Sequence, residues 1–125
     1  MIGGSDLRKI AERLYERAIE LDALKFGEFT LSSGQTSNYY FDCRMLSTDP
    51  EGADLISIAF SSAMDRTDVE AFGGPTIAAV PIVGSLALRS RLDGTKRTGF
   101  FVRPEKKEHG AGRQIEGNLQ SGMKV

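Results

Sequence analysis

The stretch FGGPTIAAVPIVGSLAL, residues 72–88, decides the fold. It opens at the end of a short apolar strand predicted at 68–72, and the strand stops at Gly73-Gly74-Pro75. Apolar residues at helical spacing follow, and after the Asp93-Gly94 turn a second strand is predicted at 98–103. A strand–helix–strand unit with glycine-rich turns at strand ends predicts a parallel sheet in an α/β domain.

The pattern predicts three helices. The first spans 6–23, and the second begins at Thr48, where Glu51 completes a capping-box pattern. The third is capped by Thr76 and runs to about Leu92. Six apolar residues are predicted to form the buried stripe of the second helix: Leu55, Ile56, Ala59, Phe60, Ala63 and Met64.

Two β-rich pieces lie between the first and second helices. EFTL at 28–31 and NYYFD at 38–42 are separated by SSGQTS, which carries turn chemistry. A hairpin or two short strands is therefore predicted. Residues 123–125 are predicted to open a further strand.

Composition bounds the class of protein. A length of 125 residues allows one domain, and 40% hydrophobic with 26% charged residues is ordinary for a soluble globular chain. The net charge of −1 argues against a nucleic-acid-binding domain. The single Cys43 cannot form an internal disulfide, and no run approaches the roughly 20 apolar residues of a membrane span. With no signal-peptide pattern at the N-terminus, a cytoplasmic protein is predicted.

A basic loop follows the strand at 98–103. The stretch FVRPEKKEHGAGRQIEG, residues 101–117, gathers five basic side chains: Arg103, Lys106, Lys107, His109 and Arg113. Its glycines favour mobility, and clustered cations can neutralise charge that develops on a phosphate leaving group. Taken alone, the loop is better interpreted as a solvated charged segment than as a site.

Three segments in order resemble the orotate phosphoribosyltransferase family of type I phosphoribosyltransferases. The loop 101–117 resembles the family's catalytic loop. Residues 24–44, LKFGEFTLSSGQTSNYYFDCR, resemble the orotate-binding segment, and residues 72–88 resemble the strand, turn and helix that follow that segment. The resemblance covers about Leu7 to Val125. It implies an α/β fold, with a parallel sheet flanked by helices and a small N-terminal hood.

The resemblance also implies a single, incomplete domain over 1–125. Residues 1–45 would form the N-terminal helix and the orotate-binding hood, and 46–125 the start of the α/β core with the catalytic loop 103–117. In the family a later strand ends in two acidic residues and a Thr- and Gly-rich loop, which bind the ribose hydroxyls and 5-phosphate of phosphoribosyl pyrophosphate (PRPP). That motif is absent from this sequence. An N-terminal fragment of a longer enzyme, inactive alone, is therefore expected.

The family's loop residues contact the pyrophosphate of the donor, and by position they correspond here to Arg103, Lys107 and His109. Many members carry a lysine directly after the arginine, whereas this chain has Pro104. The contact made by that lysine therefore has no exact counterpart in this sequence, although Lys106 lies close enough to substitute in part.

Substrate contacts are implied for four further residues. The family places a lysine, here Lys25, near the substrates, and an aromatic pair, here Tyr40 and Phe41, beside orotate. The turn that ends in Thr76 would lie beside the diphosphate, with no charge contact from Ala78. The alternatives are that the aromatics alternate as ordinary strand residues and that the turn is only structural.

The implied reaction joins orotate to PRPP, giving orotidine 5′-phosphate and pyrophosphate in de novo pyrimidine biosynthesis. Mg²⁺ would arrive bound to the donor's pyrophosphate, with no metal ligand from the chain, and family members are homodimers that share the loop across the interface.

Two alternatives remain: a non-catalytic binding or regulatory module derived from this fold, and a purine-type transferase or transferase-like regulator, which FGEFTLSSG followed by YYFD disfavours. Cys43 is predicted to be a small hydrophobe rather than a nucleophile.

Overall fold

A computed structural model describes residues 2–105 and 113–125. The described helices are α1 (Gly4–Glu20), α2 (Cys43–Ser47), α3 (Pro50–Met64) and α4 (Val80–Asp93). The described strands are β1 (Leu24–Thr30), β2 (Thr36–Phe41), β3 (Ala71–Pro75), β4 (Thr98–Val102) and β5 (Ile115–Gly117). In this part of the chain no helix combines the length and apolar character needed to cross a membrane.

Helix α1 and the hairpin are of the predicted type, but their bounds differ from the prediction, and β1 begins four residues before the predicted piece at 28–31. The helix begins two residues earlier than predicted, with Gly3 as its N-cap, and its last helical residue is Glu20 rather than residue 23. Strands β1 and β2 then pair in antiparallel fashion, and a bulge interrupts the register between Phe26 and Phe29. The turn is closed by Leu31 N–H, which donates to Gln35 O at 2.8 Å.

The start of α3 differs from the prediction. Asp49 rather than Thr48 is the N-cap, since its carboxylate accepts from Gly52 N–H at 2.9 Å. Thr48 instead ends the short helix α2, which was not predicted, and its hydroxyl donates to Arg44 O at 2.7 Å. The predicted buried stripe is also wrong in part, because the buried face of α3 is largely small and polar: Gly52, Ile56, Ser57, Ser61 and Ser62.

Two bidentate ion pairs connect α1 to the start of α3. The Arg17 guanidinium donates to both carboxylate oxygens of Asp49, at 2.9 and 2.6 Å. Arg13 makes the same twofold contact with Glu51, at 2.6 Å for each bond. The bond from Arg17, followed by the one from Gly52 N–H, lowers the pKa of Asp49 to about 2.

The larger sheet has the order β3-β4-β5 and is mixed rather than purely parallel. Strands β3 and β4 are parallel, as predicted, with α4 as the connection between them. Strand β5 pairs antiparallel to β4, with Ile115 opposite Val102 and Gly117 opposite Phe100. The prediction missed β5, which is only three residues long.

The turn into α4 is displaced from its predicted position. Gly73, Gly74 and Pro75 continue β3 instead of stopping it, so the helix starts at Val80 and its N-cap is Ala79 rather than Thr76. Pro81 lies in the first turn, where a proline is tolerated.

A cluster of buried apolar side chains lies where α1, α2 and α3 meet. It comprises Ala18, Ala23, Leu46 and Ile56. Residues 123–125 do not form a strand, although Lys124 O accepts from Glu70 N–H at 2.8 Å and from Ala71 N–H at 3.1 Å beside the start of β3.

Candidate functional site

The neck of the basic loop is defined by Arg103 and Gln114, one residue beyond the paired ends of β4 and β5. Arg103 N–H donates to Gln114 O at 2.8 Å, and the Gln114 side-chain amide donates to Arg103 O at 2.9 Å. The Arg103 guanidinium lies 3.4 Å from a carboxylate oxygen of Glu116 in β5. The sequence placed Arg103 in a site but gave no signal for Gln114 or Glu116.

The turn after β3 lies against this neck. Thr76 N–H donates to Val102 O at 2.9 Å, which places the backbone of Thr76 next to the residue that precedes Arg103. Both residues follow parallel strands at their carboxyl ends, where ligands bind in open α/β sheets. The structure therefore brings the backbone of Thr76 close to that of Arg103.

Glycine is required in β3 by close packing. A Cβ at Gly73 would lie 2.6 Å from Phe100 O and 2.5 Å from the Phe100 ring. At Gly74 a Cβ would lie 2.7 Å from the Ala79 methyl group. These two glycines let β3 approach β4 and the start of α4, and so they set the position of the turn.

The hairpin places Lys25 and Tyr40 on one face. They are directly paired across β1 and β2, and the Tyr40 ring lies 5.9 Å from that of Phe29, centroid to centroid. Tyr40 is 42% exposed, so its ring is accessible to a flat ligand. The side chains of neighbouring strand residues point to opposite faces, and therefore Phe41 cannot share this face with Tyr40.

Phe41 instead borders an apolar groove of about 510 Å³ on the other face of the hairpin. Its walls include side chains of α1, the hairpin and the other three helices, among them Leu14, Leu24, Leu46, Ile56 and Ile82. Phe41 is 47% exposed here, so it is neither fully core nor fully surface. The predicted aromatic pair is thus divided between two faces.

The end of β2 carries a short polar arrangement. Asp42 caps α2 by accepting from Arg44 N–H at 3.1 Å, and the Arg44 guanidinium donates to the same carboxylate at 2.9 Å. This side-chain bond lowers the pKa of Asp42. Burial, and then the nearby charge of Asp42, raise the pKa of the Cys43 thiol, which agrees with a half-buried hydrophobe rather than an activated nucleophile.

Two of the predicted catalytic residues, Lys107 and His109, lie outside the described residues. Within residues 2–105 and 113–125, no group of three or more His, Cys, Asp or Glu side chains is gathered in a way that could hold a metal ion.

Comparisons with known proteins agree with the arrangement of these segments. The chain is 42% identical over 113 residues to an orotate phosphoribosyltransferase of Rhodopirellula baltica, covering 86% of this chain and 58% of that enzyme. It is 39% identical over 116 residues to the orotate phosphoribosyltransferase of Pyrococcus furiosus, covering 91% and 61%. No family model matches the chain.

Solved structures show the same likeness. A phosphoribosyltransferase from Corynebacterium diphtheriae superposes with a TM-score of 0.72 at 28% identity, covering 92% of this chain and 61% of that one. Mycobacterium tuberculosis orotate phosphoribosyltransferase gives 0.67 at 28% identity, covering 91% and 63%. The chain thus spans about three fifths of the length of these relatives. Over most of its own length, in sequence and in fold, it resembles the orotate phosphoribosyltransferases.

Proposed function

We propose that this chain carries the orotate-binding and pyrophosphate-contacting parts of an orotate phosphoribosyltransferase. The reaction transfers ribose 5-phosphate from PRPP to a ring nitrogen of orotate and releases pyrophosphate, a step of de novo pyrimidine biosynthesis. The observation that carries the proposal is the junction of Thr76 and Arg103 at the carboxyl ends of β3 and β4. The similarity to orotate phosphoribosyltransferases names the substrates.

The pyrophosphate side of the site is proposed to use Arg103 with Lys107 and His109. As the bond to the leaving group breaks, positive charge develops on the ribose and negative charge on pyrophosphate. Cations aimed at the leaving group stabilise that charge in the transition state more than in the ground state, which is what accelerates the reaction. The backbone of the turn at Thr76 supports the same anion through close approach.

The orotate side is proposed to use the Lys25–Tyr40 face of the hairpin. The exposed Tyr40 ring offers a flat surface for a pyrimidine, and the paired Lys25 is a cation within reach of a carboxylate. Phe41, on the opposite face, supports the hairpin through the apolar groove rather than by touching orotate.

Mg²⁺ is proposed to enter with PRPP, bound through the pyrophosphate of the donor, and no residue of this chain is assigned to the metal. A homodimer that shares the loop across its interface is proposed because the family builds its site in this way. The proposed location is the cytoplasm, in keeping with the single Cys43.

The donor's 5-phosphate and ribose hydroxyls require a motif that this sequence does not contain. The 125-residue chain alone is therefore proposed to bind orotate without turning it over. The relatives, of which the chain covers 58–61%, offer a source of the remaining part for a chimera.

Orotate binding by the chain tests the proposal, and titration calorimetry measures it directly. Tyr40→Ala should abolish binding, because it removes the stacking surface. Tyr39→Ala is the matched control: it removes the same side chain from the adjacent residue on the opposite face. Equal loss of binding in both variants, or no saturable binding by the wild-type chain, would refute the assignment of this face.

A further inference from the structure

The neck of the basic loop contains two residues, Gln114 and Glu116, that the proposed function leaves without a role. Gln114 binds both backbone polar groups of Arg103. Its backbone carbonyl oxygen accepts from Arg103 N–H at 2.8 Å, and its side-chain amide donates to Arg103 O at 2.9 Å. The backbone of Arg103 is thereby held from two directions. The point from which its side chain extends is set by Gln114.

Glu116 holds the other end of the same residue. Its carboxylate lies 3.4 Å from the terminal guanidinium nitrogen of Arg103. Glu116 is paired with Phe101 across the two strands, and Arg103 is two residues beyond Phe101, so the acid and the base share one face of the ribbon. The guanidinium therefore lies back over β5.

We propose that Gln114 and Glu116 are positioning residues for Arg103. Gln114 fixes its backbone, and Glu116 holds its guanidinium until the pyrophosphate group of the donor competes for it. This inference rests on the proposed function, because pyrophosphate is the anion that Arg103 is proposed to meet.

The ion pair has the properties that such an exchange requires. The side chains of Arg103 and Glu116 are 42% and 35% exposed, and the contact is long for a charge-assisted hydrogen bond. Exposed pairs of this kind are weak, so a multiply charged phosphate that offers shorter, bidentate bonds can displace the carboxylate. A buried pair would hold the arginine too tightly to release it.

Titration of the chain with inorganic pyrophosphate tests the competition. Glu116→Gln should tighten binding roughly two- to fivefold, since it removes the competing carboxylate. Glu105→Gln is the matched control: it removes an equal charge two residues from Arg103, and no bond joins Glu105 to Arg103 in the described part of the chain. In an Arg103→Gln background, the added effect of Glu116→Gln should fall to that of the control.

The role of Gln114 is tested by comparing pyrophosphate binding in two glutamine variants. Gln114→Ala should weaken pyrophosphate binding, whereas Gln120→Ala, at an exposed glutamine outside the neck, should leave it unchanged. In the free proteins, the Arg103 side-chain N–H resonance should move in Glu116→Gln and stay in place in Glu105→Gln.

Three results would overturn the inference. They are equal effects of Glu116→Gln and Glu105→Gln, an effect of Glu116→Gln that persists without Arg103, and pyrophosphate binding too weak to detect in every variant. Orotate binding by the same variants should be unchanged and reports on the proposed function separately. Intact orotate and pyrophosphate binding with no special effect at Glu116 would refute this inference alone.

Discussion

Because β3 lies close to β4, alanine in place of Gly73 should lower the free energy of unfolding, whereas alanine in place of Gly84 in α4 should raise it. In Gly73→Ala, the new Cβ would lie 2.6 Å from Phe100 O, whereas ordinary contact begins at 3.4 Å. The two strands must therefore separate by about 0.8 Å, the difference between those distances. Strain of this kind in packed regions typically costs about 1–3 kcal/mol.

Gly84 is the matched control because a Cβ there meets no atom within 4 Å. It lies inside α4, where alanine is favoured over glycine by about 0.5–1 kcal/mol. The free energies of unfolding of Gly73→Ala and Gly84→Ala should therefore differ by about 1.5–4 kcal/mol, from the sum of the two effects.

Urea unfolding of both variants, followed by circular dichroism, measures the difference directly. Gly73→Ala should lower the denaturation midpoint below that of the wild-type chain, and Gly84→Ala should raise it. A Gly73→Ala variant as stable as wild type would show that β3 and β4 are not as close as described. The position of the Thr76 turn would then need revision.

Two further predictions concern the framework that holds the hairpin. Ile56 is a core residue that is 6% exposed, and Ile56→Ala should lower the free energy of unfolding by about 2–5 kcal/mol. Leu88 is 62% exposed, and Leu88→Ala should change that free energy by less than about 0.5 kcal/mol. Urea titrations measure both effects. Asp49 has a pKa of about 2 in the folded chain, which is below its usual value. The unfolded chain therefore binds more protons than the folded chain in this pH range. The stability that ionised Asp49 contributes is lost as pH falls from about 4 toward 2. Asp49→Asn can still cap α3 and should flatten this acid limb in pH-dependent melting, and an unchanged limb would contradict the Arg17–Asp49 pairing.

The sequence predicted the elements whose signal is local. Helix α1 has a clear apolar stripe, the hairpin has β-rich strands around SSGQTS, and α4 ends at the Asp93-Gly94 turn, with Gly94 in the left-handed region at φ 75°. Each of these depends on neighbouring residues only. The parallel pairing of β3 and β4 followed from their connection through a helix.

The features that the sequence did not predict depend on contacts between distant residues. Asp49 becomes the cap of α3 because Thr48 is used to end α2, and β5 exists only because β4 is beside it. Serine residues fill the face of α3 where apolar residues were expected, which no hydrophobic pattern could indicate.

The sequence likewise predicted some residues of the candidate site and missed others. The resemblance singled out Arg103 and Thr76, and the structure places them together. It also singled out Tyr40 and Phe41 as a pair, which strand alternation divides between two faces. The roles of Gln114 and Glu116 come from hydrogen bonds across the neck of the loop, and spacing in the sequence does not reveal them.

Orotate consumption in the presence of PRPP and Mg²⁺ is the most direct test of the proposed transferase function. The chain alone would be compared with a chimera in which the unmatched part of the Rhodopirellula baltica enzyme is joined to it. The chimera should turn over orotate, Arg103→Gln in the chimera should abolish turnover, and the chain alone should show none. Turnover by the chain alone would show that its donor site uses other residues, and a folded but inactive chimera would contradict the proposed function.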